Sequence, residues 1–169
     1  MITIAGTGHR PDKLGEIWYP GKWTPAIAVI KQKLAHYGHA LRVISGMMIG
    51  FDLMLAEACA ELKAEGVPVR WVAALAYEGQ EEAWHHDAAV ATEWYRKLLQ
   101  LADERVVVSR ECTREAFELR ARWMVEEANA VLACWDGSPG GTGATLELAR
   151  AESKPVVNIY PEIRQALGF

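Results

Sequence analysis

Six short, near-continuous apolar runs, rich in β-branched residues, punctuate this chain, and what lies between them has the spacing of helix. The runs are ITIAG from Ile2, LRVIS from Leu41, VRWVAAL from Val69, RVVVS from Arg105, AVLAC from Ala130 and PVVNIY from Pro155. A strand with one wet face alternates polar and apolar residues; these do not, so each reads as a strand buried on both faces. Apolar residues recur at helical spacing over Thr24 to Tyr37, Gly50 to Glu65, Gln80 to Ala102, Thr113 to Ala128 and Thr142 to Ser153. Strand and helix in strict alternation predict an α/β protein: a Rossmann-like three-layer fold with a mostly parallel central sheet and helices on both faces. No repeat, low-complexity tract or Pro/Ser-rich linker interrupts the pattern, so residues 1–169 read as a single domain.

The charge balance narrows the partners. Eighteen basic against 22 acidic side chains leave a formal net charge of −4, so there is no broad positive field to gather DNA or RNA, and a small anion would have to be held locally. Cys59, Cys112 and Cys134 are odd in number and far apart, which suits free thiols in a reducing compartment and matches no zinc spacing. His85, His86 and Asp87 are consecutive; on a helix they diverge, so no metal site is expected there or elsewhere, and no cofactor. The N-terminal MITIAGTGHRP carries no signal-like pattern, and no stretch approaches the ~18 apolar residues that span a membrane. A cytoplasmic protein with no membrane partner is expected.

In doubly wound sheets ligands bind beyond the carboxyl ends of the strands, where strand order reverses. The residues after each strand are therefore the candidates. The first strand runs into Gly6-Thr7-Gly8-His9-Arg10-Pro11. Here the glycines would let backbone amides approach an anion and Arg10 would grip it, or His9 and Arg10 simply cap a glycine turn. The second runs into Ser45-Gly46-Met47-Met48-Ile49-Gly50-Phe51-Asp52, a glycine-bounded entry to a helix N-terminus; Asp52 is either a ligand contact or that helix's own first-turn acid. After the third, Gln80 and Trp84 are four apart and share a helical face, where they either read and stack on a flat base or begin a helix with Trp84 in the core.

The fourth strand leads to a helix in which Arg120 lies beside Phe117 and Met124 on the apolar stripe; an arginine so placed needs an anionic partner. The fifth leads to Cys134-Trp135-Asp136-Gly137-Ser138-Pro139-Gly140-Gly141-Thr142-Gly143 and a helix opening Ala144-Thr145-Leu146-Glu147. Three glycines in four residues at a strand-to-helix junction make the strongest anion-cradle pattern in the chain. Glu147 is either part of the site or an acid favoured near a helix start.

Taken together, GTGHRP, SGMMIGFD, GQEEAW and WDGSPGGTGATLE resemble the SLOG superfamily, the Rossmann-like group containing Lonely Guy enzymes, DprA/Smf proteins and YpsA-like proteins. The resemblance runs from Ile4 to about Ile159 and is nearest to the YpsA-like branch, which shares the order of GHR loop, SGxxxGxD loop, Q-x-x-x-W and WDG. Pro139 to Glu147 also resembles the Lonely Guy PGGxGTxxE signature, with Ala144 in place of threonine. Arg120 to Met124 resembles its R-K-x-x-M segment, with Ala121 in place of lysine.

By that resemblance Arg120 and Glu147 form the catalytic pair of an enzyme cleaving the N-glycosidic bond of a nucleoside 5′-monophosphate, and LOG-type homodimerisation would complete the site. YpsA-like members are inferred to bind nucleotides or nucleotide-derived ligands as sensors or adaptors. The binding reading stands first, because WDGS lengthens the fifth strand end and the threonine and lysine are replaced. It expects a small nucleotide-like ligand touching Gly6, Thr7, Gly8, His9, Arg10, Ser45, Gly46, Gly50, Asp52, Gln80, Trp84, Asp136, Gly137, Gly140, Gly141, Thr142 and Gly143. It also expects a homodimer or higher homo-oligomer, and no nucleic acid. The alternative is the phosphoribohydrolase.

Overall fold

The computed structural model describes residues 1–38, 40–84 and 88–169. Six strands, β1 (Ile2–Gly8), β2 (Leu41–Ser45), β3 (Val69–Leu75), β4 (Glu104–Val107), β5 (Ala130–Cys134) and β6 (Val156–Asn158), form one sheet in the order β4-β3-β2-β1-β5-β6. Every neighbouring pair is parallel. The chain steps outward from β1 to β4, then crosses back to place β5 on the other side of β1. Strand order therefore reverses between β1 and β5, which fixes where a crevice opens at the carboxyl ends.

Alternate strand residues face opposite layers. Ile4, Val43, Trp71, Ala73, Leu75, Leu132 and Cys134 pack with α1 (Thr24–His36), α2 (Phe51–Ala64), α3 (Ala89–Leu101) and α6 (Tyr160–Leu167). Their neighbours Ala5, Ile44, Val72, Ala74, Val131 and Ala133 meet α4 (Arg114–Glu127) and α5 (Gly141–Ala151). This is the three-layer α/β arrangement that the alternating runs predict, with every described strand pair parallel.

Two expectations change. The segment from Gln80 to Ala102 is not one helix: Gln80–Ala83 is a 3-10 turn, Trp84 is extended at ψ 149°, and α3 begins at Ala89. The Gln80 side chain turns inward to bond backbone groups. His85, His86 and Asp87 lie outside the described residues. The second change is α6, which follows β6 with Pro161 in its first turn; proline there supplies a preset φ and lacks only an amide that has no helical acceptor.

Candidate active site at the carboxyl ends of the strands

Glycines in the first two loops bring layers together. A Cβ at Gly6 would lie 2.1 Å from Leu55 Cδ2, and one at Gly8 2.5 Å from Phe51 Cγ, so α2 rests directly on β1. A Cβ at Gly50 would lie 2.5 Å from the His9 carbonyl oxygen, and Gly50 has φ +104°, which only glycine adopts without strain. The Phe51 amide donates to that same carbonyl at 3.1 Å. Ser45 Oγ donates to the Asp52 carbonyl at 2.7 Å and accepts from the Met47 amide at 3.2 Å, while Asp52 Oδ2 accepts from the Met48 amide at 3.3 Å. The loop after β2 is thus closed on itself and against the loop after β1.

Gln80 completes this knot. Only 1% exposed, it accepts from the Ala76 amide at 2.9 Å and donates to the Gly46 carbonyl at 3.0 Å. Trp84 instead joins the α3 side of the core, edge-on to Tyr95 at 5.4 Å. Gln80 and Trp84 therefore share no helical face, because the 3-10 turn ends between them.

Arg120 reaches from α4 over the same knot. Its Nη1 donates to the Gly46 carbonyl at 2.7 Å and to Gln80 Oε1 at 3.2 Å, its Cζ lies 5.2 Å from the Phe117 ring centroid, and its buried Nε has no acceptor among the described residues. The acid whose charge reaches it is Asp52, acting at a distance: the two side chains make no hydrogen bond or ion pair among the described residues. A Cβ at Gly46 would lie 2.8 Å from Asp52 Oδ2 and 3.0 Å from Arg120 Cζ, so the two charged ends flank one point. Burial pushes the Asp52 carboxyl up to about 6, against the lowering influence of Arg120, the Met48 amide and Arg10. Burial likewise pulls Arg120 below the usual guanidinium range, and Asp52 opposes it.

Asp52 and Arg120 line a recess of about 30 Å³ with Gly6, Thr7, Met124, Val131 and Thr145. It lies between β1, α4 and α5, beside the reversal of strand order. A larger open groove of about 370 Å³, lined by Tyr160, Pro161, Arg164, Gln165 and Phe169, carries none of the residues expected at the site.

The loop after β5 is held at its base and open at its tip. His9 Nε2 lies 2.8 Å from Asp136 Oδ1 and 3.0 Å from the Asp136 amide nitrogen. Protonated there, the ring donates to the carboxylate; bare, it accepts from the amide. Asp136 also accepts from the Ser138 hydroxyl and, at 2.9 Å, from the Ser138 amide. Those bonds, together with His9, hold its carboxyl well below the usual range against the opposing influence of burial. Lys13 Nζ donates to Ser138 Oγ at 2.8 Å, and Asn158 brackets Trp135 by bonding both its amide and its carbonyl. Beyond this brace Gly137, Gly140 and Gly141 are exposed with nothing within 4 Å of an added Cβ, and no side chain caps α5 among the described residues. The first amides of α5 are therefore free to meet an anion.

Glu147 is exposed and makes no hydrogen bond or ion pair among the described residues. Thr145, two residues earlier, lines the recess; at about 100° per residue Glu147 points roughly 200° away around α5. Within one chain the structure gathers Arg120, Asp52, Thr7 and Gln80, sets His9 and Asp136 at the neighbouring rim, and leaves Glu147 outside. Lys13 and Asn158 carry no sequence pattern that marks them, and Ser138 lies inside the loop signature after β5. Thr145 had one, since it lies inside the glycine-helix signature.

A family model described as the YspA SLOG family matches residues 4–159. The chain belongs to that family. UPF0398 proteins from Bacillus thuringiensis (strain Al Hakam) and Bacillus cereus (strain Q1) are each 27% identical to it over 161 residues, covering 91% of this chain and 85% of theirs. Among solved structures, the X-ray structure of DNA processing protein A (DprA) from Streptococcus pneumoniae superposes with a TM-score of 0.58 at 15% identity, over 99% of this chain and 54% of that one. At that identity the likeness speaks for the fold, and the chain spans about half the length of the DprA chain. SLOG membership points to a Rossmann-like, nucleotide-related role. Among the described residues no helix is long and apolar enough to cross a membrane.

Proposed function

We propose that the protein binds a nucleotide or nucleotide-derived ligand in the crevice between β1 and β5 and acts through that binding, as a sensor or adaptor. One observation carries the reading: the uncapped, open start of α5 adjoins a recess holding a buried arginine and a buried carboxyl, at the reversal of strand order. A ligand phosphate fits the amides of Gly141 to Gly143, with Arg10 at the rim, and the remainder of the ligand extends toward Arg120 and Asp52. DprA is by name a DNA processing protein, but the net charge of −4 here argues against a nucleic-acid surface.

Cleavage of an N-glycosidic bond is the weaker reading, because it needs a carboxylate and a clamp on one bond and Glu147 is turned away from Arg120. It therefore depends on a second chain. We propose a homodimer that would supply it, which light scattering of the purified protein checks. A thermal-shift and calorimetric panel of nucleoside mono-, di- and triphosphates, cyclic nucleotides and ADP-ribose tests the binding reading. Stabilisation by at least one is expected, and no stabilisation by any overturns it. Release of free base from a monophosphate, abolished in Glu147→Gln, would replace it with the hydrolase.

A further inference from the structure

Asp52 is a buried carboxyl with no counterion bonded to it among the described residues. It is 7% exposed, and its side chain accepts one hydrogen bond there, from the Met48 amide at 3.3 Å. Two cations act on it from other elements, Arg120 from α4 and Arg10 from the loop after β1. Asp52 Oδ2 and Arg120 Cζ lie 2.8 and 3.0 Å from the place a Cβ would take on Gly46, so less than about 6 Å separates the two groups. Arg10 acts on Arg120 as well. With the carboxyl ionised the three side chains carry a single positive charge; with it neutral, that charge doubles.

The recess these residues line reaches the helix that follows the open loop. Thr145 stands on its wall with Asp52, Arg120 and Thr7, and Thr145 Oγ1 donates to the carbonyl of Gly141, the first residue of α5. An anion held by the amides of Gly141 to Gly143 is therefore one helical turn from a residue that shares a wall with Asp52. A carboxylate and an anion so placed repel each other across protein, where screening is weak. One proton removes the conflict. Burial already pushes Asp52 up to about 6, against Arg120, the Met48 amide and Arg10, so near neutral pH the carboxyl gives up its charge at small cost.

We propose that anion binding at the start of α5 is coupled to protonation of Asp52: the anion enters together with a proton that the carboxyl takes up from solvent, and the two arginines then face the anion without an opposing charge. The inference rests on the phosphate placement proposed above and adds to it a dependence on pH. The sign follows from the order of the two states. Bound anion raises the Asp52 midpoint above its unliganded value, so affinity is greatest below the unliganded midpoint and falls as pH rises through the liganded one. At an effective permittivity of about 20, a unit negative charge about 10 Å away moves a carboxyl titration by on the order of one pH unit, which is about tenfold in affinity. His9 and Asp136, the other ionisable pair at this rim, are bonded to each other, and a readout on Asp52 itself separates it from them.

Carbon-detected NMR of the Asp52 carboxyl and amide spectra of the full chain decide the matter. Two probes keep a constant charge between pH 5 and pH 8: inorganic sulfate, compared with chloride at matched ionic strength, and ADP-ribose. We expect saturable shifts of the Gly141 to Gly143 amides with at least one probe, an Asp52 midpoint that rises by on the order of one pH unit at saturation, and about tenfold higher affinity at pH 5 than at pH 8. Asp52→Asn keeps the neutral form at every pH, so it should lose this dependence and bind about tenfold more tightly than the native chain at pH 8. A midpoint that stays in place while the amides saturate, or a pH dependence that survives undiminished in Asp52→Asn, overturns the coupling and leaves the anion site standing. Amides silent to both probes at both pH values remove the coupling together with the phosphate placement, a result distinct from the first. Should Asp52→Asn fail to fold, the Asp52 midpoint of the native chain with and without probe still decides.

Discussion

The loops after β2 and β5 look alike as strings, each glycine-bounded between a buried strand and a helix, yet they are built for opposite purposes. Around the first, every glycine is crowded: Gly46 by Asp52 and Arg120, Gly50 by the His9 carbonyl, Gly6 and Gly8 by α2. Around the second, Gly137, Gly140 and Gly141 face open space, and α5 begins without a cap. The first set lets elements approach closely and positions two buried charges. The second leaves backbone amides for something else to use. A glycine in a strand-end loop is therefore not by itself a sign of a ligand; what matters is whether its missing side chain makes room for the protein or for solvent.

The largest effect should come from the crowded loop. In Gly50→Ala the new Cβ meets a backbone oxygen at 2.5 Å in a conformation at φ +104°, and both the clash and the strain are unavoidable. Urea denaturation should show a loss of about 3 kcal/mol or more. Gly141→Ala lies at the start of α5 with nothing within 4 Å, and helix propensity favours alanine by up to about 1 kcal/mol, so its stability should hold or rise while phosphate-ligand affinity falls. A Gly50→Ala loss under about 1 kcal/mol would erase the distinction between the loops.

Asp52 supplies the next effect, and its sign follows from the direction of its shift. Its folded-state value lies above the ordinary 3.8, at about 6, so the folded protein favours the protonated form. The stabilisation this gives is complete below about pH 4 and is lost as pH rises through 6. At about 1.4 kcal/mol per pH unit the ionised carboxylate costs the fold up to about 3 kcal/mol at pH 8. Asp52→Asn should therefore be more stable than the native protein at pH 8 by about 2–3 kcal/mol and indistinguishable from it near pH 4. In Arg120→Met the Asp52 carboxyl should titrate above 6, because the guanidinium that opposes burial is gone; carbon-detected NMR of the Asp side chains reads this directly. A carboxyl that titrates unchanged in Arg120→Met would sever the electrostatic link between α4 and the β2 loop.

All six apolar runs became strands, and burial on both sides erases alternation in the inner strands β2, β3 and β5; the edge strands β4 and β6 are not buried on both faces as expected, because each has a neighbour on one side only. Arg120 was legible as an arginine on an apolar stripe in want of an anion. The acid whose charge reaches it was not, because Asp52 reads equally well as a first-turn acid, and only the crossing of α4 over the β2 loop at Gly46 brings them near. Gln80 misled for a related reason: a spacing of four implies a shared face only if the backbone stays helical, and the turn ends at Ala83 with Trp84 extended. Glu147 marks the limit of signature reading, since its register in the string is kept while its position around α5 turns it to solvent. The brace of Lys13, Ser138 and Asn158 depends on strands brought together from opposite ends of the chain, and no local pattern carries that.

The smallest effect concerns what holds the open loop in place. Asp136 is tied to Ser138, His9 and Lys13, and its carboxyl is held below the ordinary range. Its contribution is therefore present above about pH 4 and lost as pH falls further, the reverse of Asp52. Because the side chain is a quarter exposed, solvent screens the network, and Asp136→Asn should lower stability by less than about 1 kcal/mol at pH 7. Hydrogen exchange separates this loss of anchoring from a general loosening. Amides of Gly137 to Thr142 should exchange faster in Asp136→Asn, while those of β2 and the Ser45–Asp52 loop keep their native rates. If the β2 loop loosens in step, the two loops are one mechanical unit, and the open start of α5 owes its placement to the same knot that holds Arg120 and Asp52.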